Sequence, residues 1–114
     1  MSSEQRQYRR FKITVPVEIL PEGSESPVRC GISDLSIGGC YVESMFPFPN
    51  GTRLELKVQL DDTLLIIAKA VTCDPQVGNG IKFLTMLPED LEQLRAFLDS
   101  VAQQDEAEAE KKAD

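Results

Sequence analysis

The chain has 114 residues, a formal net charge of -7 and no histidine. Its length fits one small domain, and its acidity argues against long nucleic acid as a partner, because duplex affinity depends on many neutralised phosphates. The absence of histidine removes the commonest general base and the commonest metal ligand, so we expect neither an enzyme nor a metal site.

The remaining bulk features predict a cytoplasmic location. The sequence has no run of about 18 apolar residues, so we expect no insertion into a membrane. Residues 1–12 lack the apolar core of a signal peptide. The three cysteines, Cys30, Cys40 and Cys73, are odd in number and have no C-x-x-C spacing, which is typical of reduced thiols in a reducing compartment.

The first predicted element is a flexible basic arm at residues 1–12. It carries Arg6, Arg9, Arg10 and Lys12 against a single acidic side chain, Glu4. An isolated basic segment in an acidic protein suits a small anion with one or two phosphates better than a long polyanion.

Six short strands follow the arm. The clearest is TRLELKVQL, in which Leu54, Leu56 and Val58 share one face and polar residues the other. Pro16 predicts an edge position or a bulge in the first strand. The fifth strand has too little polar alternation for one face to be in water. Turns rich in Gly, Pro and Ser separate the strands, which we predict at residues 13–20, 28–34, 38–44, 52–60, 64–74 and 80–84.

The hydrophobic period then changes from two residues to three or four. This predicts an amphipathic helix over 87–104, with Pro88 at its first position. Six strands and one helix within residues 13–103 indicate an antiparallel β-barrel or sandwich with the helix packed on it. Residues 104–114 form an acidic tail, which either prolongs the helix into solvent or frays.

Two short motifs are candidates for a binding site. Arg6 and Arg10 form R-x-x-x-R, and Asp34, Ser36 and Gly39 form D-x-S-x-x-G. Each motif alone occurs often on ordinary surfaces and in ordinary turns. Their combination is more specific, because one strand and one loop separate them and an antiparallel pair can bring them together.

This combination resembles the PilZ domain family, whose members are receptors for the bacterial second messenger cyclic di-GMP. The resemblance covers about residues 5–100, and Gly80 and Phe83 match a late G-x-x-F step that looks structural. It implies a mainly β fold, a six-stranded antiparallel β-barrel with a C-terminal α-helix. It also implies control of motility, of a pilus or flagellum, or of exopolysaccharide synthesis through an effector protein that the sequence does not identify.

The motif residues have the chemistry that cyclic di-GMP requires. The guanidinium fork of arginine matches guanine O6 and N7, and it also matches phosphate oxygens. Asp34 can accept from guanine N1–H and N2–H, and the Ser36 hydroxyl can bond base or phosphate. We expect Gly39 to let the backbone approach the ligand with its N–H available. Adenine lacks this arrangement of donors and acceptors, so cyclic di-AMP should be rejected.

Further contacts are predicted for Gln5, Arg9 and Gly38. In the family, an arginine before the first motif arginine often accompanies binding of a stacked ligand pair. Gln5 stands there in this chain, so we expect one ligand molecule per chain. Tyr8 either stacks on a base or anchors the arm on the barrel, and we favour the anchor. For Arg9 a phosphate contact and a solvated surface position are equally consistent with the sequence.

Two other interpretations stay open. A PilZ-like barrel can serve only as a protein-docking module that binds no nucleotide, although the retained arginines count against this. A small barrel for single-stranded nucleic acid would need stacking aromatics in a positive groove, and aromatic residues make up only 6% of this acidic chain. We expect a monomer with no cofactor other than its ligand.

Overall fold

The computed structural model describes residues 8–113, and the side chains of residues 8–107. Six strands precede one helix, which continues through the acidic residues that follow the predicted helix end. The elements are β1 (Val15–Pro21), β2 (Val28–Leu35), β3 (Gly39–Glu43), β4 (Arg53–Gln59), β5 (Thr63–Ala70), β6 (Gly78–Met86) and α1 (Pro88–Ala113).

The strands close into an antiparallel barrel in the order β1-β2-β3-β6-β5-β4, with β4 pairing back to β1. The predicted fold class is therefore confirmed. Strand direction assigns the connections to two ends of the barrel. One end holds the start of β1, the β2–β3 turn, the β4–β5 turn and the start of α1. The opposite end holds the β1–β2, β3–β4 and β5–β6 loops.

Alternating side chains fill the barrel. On β4 the residues Leu54, Leu56 and Val58 are buried, as their period of two predicted. On β5 the prediction was wrong, because burial alternates there and Leu65 remains 44% exposed. An unbroken apolar run in the sequence does not reveal which of its residues face outward, since an antiparallel sheet tolerates apolar side chains on its solvent face.

Pro16 lies at a position where a missing N–H costs little. It pairs with Gly31 on β2, whereas the pairing of β1 with β4 starts only at Val17. Although the barrel is closed, Pro16 lies just outside the ladder between β1 and β4. On that side it has no strand partner within residues 8–113, as at the edge of an open sheet.

The end of β5 and the start of β6 differ from the prediction. β5 stops at Ala70, and β6 begins two residues earlier than predicted, at Gly78. The reason is Asn79, which is fully buried. Its side-chain amide donates to the carbonyl oxygens of Phe48 and Thr72, and its oxygen accepts from the Phe48 N–H. These bonds tie the β3–β4 and β5–β6 loops, two of the three loops at this barrel end, to β6.

Helix α1 packs on the barrel through Leu94 and Leu98, which are buried in the common core. The Asp90 carboxylate in its first turns accepts from the backbone N–H of Leu65 on β5, with 3.3 Å between the heavy atoms. Since β6 leads directly into the helix, α1 starts at the same barrel end as the β2–β3 turn. Across residues 8–113, no helix combines the length and apolar character needed to cross a bilayer.

Candidate ligand-binding site

The arm is attached to the end of β2 by backbone hydrogen bonds. The Phe11 N–H donates to the Leu35 carbonyl, and the Leu35 N–H donates back to the Phe11 carbonyl, each at 2.9 Å. The Phe11 side chain is buried in the core. Residues 8–11 are therefore held beside the D-x-S-x-x-G turn rather than projecting away from it.

The two motifs meet in one ion pair. The Arg10 guanidinium donates from Nε to Asp34 Oδ1 over 2.7 Å. The Arg10 side chain is 46% exposed and that of Asp34 is 24% exposed, so the pair lies at the surface with solvent access. A charge-assisted bond of this length fixes the orientation of both groups.

A β-bulge turns Asp34 toward the arm. Ile32 pairs with Val42 and Asp34 pairs with Tyr41, which leaves Ser33 as an extra residue in β2. Ile32 and Leu35 both face the core, three positions apart rather than two. Without the bulge, Asp34 would share the inward face of Ile32. The three-residue spacing of these two apolar side chains was the available sequence signal, and our interpretation overlooked it.

Ser36 organises the turn from within. Its side chain is buried, and its Oγ accepts from the Gly38 N–H at 3.1 Å and the Gly39 N–H at 3.2 Å. The hydroxyl also donates to the Gly39 carbonyl oxygen at 3.3 Å. The serine thus satisfies the backbone groups of a tight connection between β2 and β3. The Ser36 hydroxyl therefore both donates and accepts hydrogen bonds within the protein.

Both turn glycines are closely packed, Gly39 against backbone and Gly38 against a side chain. A Cβ on Gly39 would lie 2.3 Å from the Ile81 carbonyl oxygen, and one on Gly38 would lie 2.7 Å from a ring carbon of Tyr8. The expectation of a free Gly39 N–H was wrong, because that group is bonded to Ser36 Oγ. The ring of Tyr8 packs on Gly38, which agrees with the predicted anchoring role of Tyr8.

Arg9 and Arg10 connect the arm to different parts of the fold. Whereas Arg10 contacts the turn, Arg9 lies 4.5 Å over the ring of Phe11, and its Nη2 is 3.7 Å from Asp105 Oδ2 on α1. The arm therefore bridges the β2–β3 turn and the far half of the helix. Both Arg9 and Asp105 are more than half exposed, so this ion pair contributes at most about 1 kcal/mol.

An open cleft of about 320 Å³ runs between the arm, the turn and the helix. The helix contributes two charged side chains, Arg95 and Asp99, that our sequence interpretation did not single out. The available signal was the spacing of residues 95, 98, 99 and 102, which share one helix face. The lining residues are Tyr8, Arg9, Phe11, Ile37, Arg95, Leu98, Asp99 and Ala102.

The environment of Cys40, next to the turn, does not favour a reactive thiol. Its side chain is buried, and burial raises the pKa of the thiol to about 12. The thiol therefore stays protonated and packs as a small apolar group. Over the described part of the chain, no three His, Cys, Asp or Glu side chains come together in a way that would hold a metal ion.

The structure brings most of the predicted site residues together. Arg10, Asp34, Ser36 and the two turn glycines lie at one end of the barrel, with Arg9 on the helix side of the arm. The predicted residues Gln5 and Arg6 lie outside the described residues. The assignment of all of them to a ligand stays a prediction.

Comparison with known proteins supports the same fold. The sequence matches the model of the PilZ domain over residues 4–100. A comparison with curated proteins found no match. Among solved structures, the inhibitor of motility MotI/DgrA from Bacillus subtilis is 21% identical with a TM-score of 0.74, over 87% of this chain and 52% of that one.

Two further structures are similar. YcgR from Escherichia coli, in complex with c-di-GMP, is 19% identical with a TM-score of 0.78, over 94% of this chain and 50% of that one. The PilZ domain of CeSA from a cellulose-synthesizing bacterium is 20% identical with a TM-score of 0.66, over 82% of this chain and 98% of that one. The chain spans about half the length of MotI/DgrA and YcgR, and the likeness is one of fold.

Proposed function

Because this chain belongs to the PilZ domain family, a family of regulatory receptor modules, we propose that it is a receptor for cyclic di-GMP. In this proposal the ligand binds between the R-x-x-x-R arm and the D-x-S-x-x-G turn. The bound state is then relayed to an effector protein in the cytoplasm that acts on motility, a pilus or flagellum, or exopolysaccharide synthesis.

The observation that carries the proposal is the contact between the two motifs. Arg10 and Asp34 are 24 residues apart in the chain, yet Arg10 Nε lies 2.7 Å from Asp34 Oδ1. A ligand that needs an arginine fork on one side and a carboxylate on the other finds both within a single small region. The barrel does not have to rearrange to bring these two side chains together, because backbone hydrogen bonds hold Phe11 against Leu35.

The ion pair leaves both groups with bonding capacity. Arginine has five N–H donors and a carboxylate has two oxygens, and within the described residues only Nε and Oδ1 are used. Asp34 thus orients the Arg10 fork, whose outer N–H groups suit phosphate or guanine O6 and N7. Asp34 Oδ2 suits guanine N1–H and N2–H. Arg6, four residues earlier in the sequence, would add the second fork.

Ser36, Gly38 and Gly39 have a supporting role in this proposal. Their hydrogen bonds shape the turn that carries Asp34, and the small size of both glycines admits Tyr8 and β6. A ligand contact from the Ser36 hydroxyl would require it to exchange one of its present partners. We therefore assign direct contacts first to Arg6, Arg10 and Asp34.

The attachment of the arm also lowers the cost of binding. Ordering a free chain costs about 1–2 kcal/mol per residue, so a fully free arm of ten residues would oppose binding by on the order of 10 kcal/mol. Since residues 8–11 are already held on the turn, these four residues add no such ordering cost to ligand binding. The ion pair of Arg9 with Asp105 then gives α1 a direct connection to the arm, and the surface they form together is what an effector would recognise.

Isothermal titration calorimetry of the full chain with cyclic di-GMP and with cyclic di-AMP tests this function. We expect saturable binding of one cyclic di-GMP per chain and at least tenfold weaker binding of cyclic di-AMP. The physical reason is that each bidentate guanine contact discriminates against a wrong base by about 1–3 kcal/mol.

Two results of that titration would argue against the proposal. Equal affinity for both dinucleotides would mean that Arg10 and Asp34 do not read guanine. No heat with either dinucleotide, at concentrations up to the millimolar range, would favour the alternative of a docking module that binds protein partners without nucleotide.

A further inference from the structure

The cleft between the arm and α1 contains an arginine that neither motif includes. Arg95 is exposed on α1, and it lines the cleft together with Tyr8 and Arg9. Within residues 8–107 it forms no salt bridge and no side-chain hydrogen bond, whereas Arg9 is already engaged by Asp105. Arg95 therefore supplies the unengaged guanidinium of this cleft.

The cleft is lined by residues that lie within both motifs in the chain. Tyr8 and Arg9 lie between the two arginines of R-x-x-x-R, and Ile37 lies between the serine and the last glycine of D-x-S-x-x-G. Arm and turn thus form two walls of one space, and α1 forms the third. Arg10 and Asp34 do not themselves line the cleft, but Arg9 and Phe11, which flank Arg10 in the chain, do, so a molecule held by the pair would lie close to this space.

From this geometry we infer that Arg95 is a third ligand-binding arginine, which contacts a phosphate or a guanine acceptor edge of the bound nucleotide from the helix side. The cleft volume of about 320 Å³ lies at the lower end of the range for small-molecule sites. It suits one half of a dinucleotide, with the other half at the Arg10–Asp34 pair. This inference rests on the proposed function.

The charges of the cleft agree with such a ligand. The lining residues include Arg9 and Arg95 and one carboxylate, Asp99, and since Arg9 pairs with Asp105, Arg95 is the cation left for an anionic group. Asp99 makes bare phosphate a poorer match than a molecule that also carries N–H donors, as guanine does. A second open cleft at the opposite barrel end has the reverse balance, since Glu22 and Glu55 accompany only Arg53 there. That cleft does not suit an anion.

Arg95→Ala, tested by calorimetry with cyclic di-GMP, should weaken binding about tenfold, which corresponds to the loss of one charge-assisted contact. Arg29→Ala is the matched control, because it changes the net charge equally at a β2 position where the side chain is 90% exposed. It should leave the affinity unchanged. Arg95 is exposed on the helix, so both variants should keep the melting temperature of the natural protein.

A second measurement reports on the contact itself. In an NMR titration of the natural protein, the side-chain Nε–H signal of Arg95, assigned by its absence in Arg95→Lys, should shift in step with ligand saturation. An affinity for Arg95→Ala equal to that of Arg29→Ala, with an unmoved Nε–H signal, would overturn this inference and leave the receptor function standing. Failure of the natural protein to bind would instead overturn both.

Discussion

Arg10→Ala should weaken the binding of cyclic di-GMP about 100-fold while leaving the fold intact. The fork of Arg10 is expected to make two charge-assisted hydrogen bonds to the ligand, and the net loss of about 3 kcal/mol corresponds to two decades in affinity. Stability should change little, because the ion pair with Asp34 is solvent-accessible and such pairs contribute at most about 1 kcal/mol. Calorimetry measures the affinity, and thermal unfolding measures the stability.

Two further variants sharpen that experiment. Arg10→Lys keeps the charge but loses the planar fork, so it should recover only part of the affinity. Arg29→Ala, which removes an equally charged side chain from the outside of β2, should bind as the natural protein does. If Arg10→Ala lost no more affinity than Arg29→Ala, the contact between the motifs would have no role in binding.

Gly39→Ala should destabilise the protein by about 3 kcal/mol, the upper part of the range for forcing extra atoms into a packed site. The added Cβ would meet the Ile81 carbonyl oxygen at 2.3 Å, and this is a backbone atom that cannot rotate away. The pairing of β3 with β6 at Gly39 and Lys82 would have to shift. For a domain of this size we expect the midpoint of thermal unfolding to fall by about 10 °C.

Gly31→Ala provides the control for that variant. Gly31 also lies in a barrel strand, on β2, but a Cβ there has no neighbour within 4 Å. Its unfolding midpoint should match that of the natural protein or exceed it slightly, because alanine reduces the freedom of the unfolded chain. Equal midpoints for both variants would show that the turn is not as tightly packed against β6 as the structure indicates.

Most of the barrel was predictable because its strands follow a simple alternation. Leu54, Leu56 and Val58 alternate with polar residues, and such a pattern has one favourable placement, with the apolar side chains inside. The prediction failed on β5, where apolar residues such as Leu65 occupy the outer face. It also misplaced the start of β6, because the buried side chain of Asn79 bonds to Phe48, 31 residues away in the chain, as well as to the nearer Thr72.

The candidate site was predictable at its centre and not at its edges. The two motifs named Arg10 and Asp34, and their approach was expected from an antiparallel pairing of the two strands between arm and turn, which β1 and β2 form. The bulge at Ser33 had a local signal, the three-residue spacing of Ile32 and Leu35, which we overlooked. The approach of Arg9 to Asp105 depends on tertiary packing between segments that no local pattern connects. For the same reason Arg95, which belongs to the other end of the chain, could be placed in the cleft only from the structure.

An NMR titration of the ¹⁵N-labelled protein with cyclic di-GMP tests the shared site of arm and turn most directly. We predict shifts of the Arg10 Nε–H signal and of the backbone amides of Phe11 and residues 36–39. The amide signals of residues 22–24, 44–46, 48, 50 and 51, at the opposite barrel end, should stay in place and serve as an internal control. Shifts confined to that opposite end, or shifts in the turn with an unmoved Arg10 signal, would contradict a site formed by both motifs.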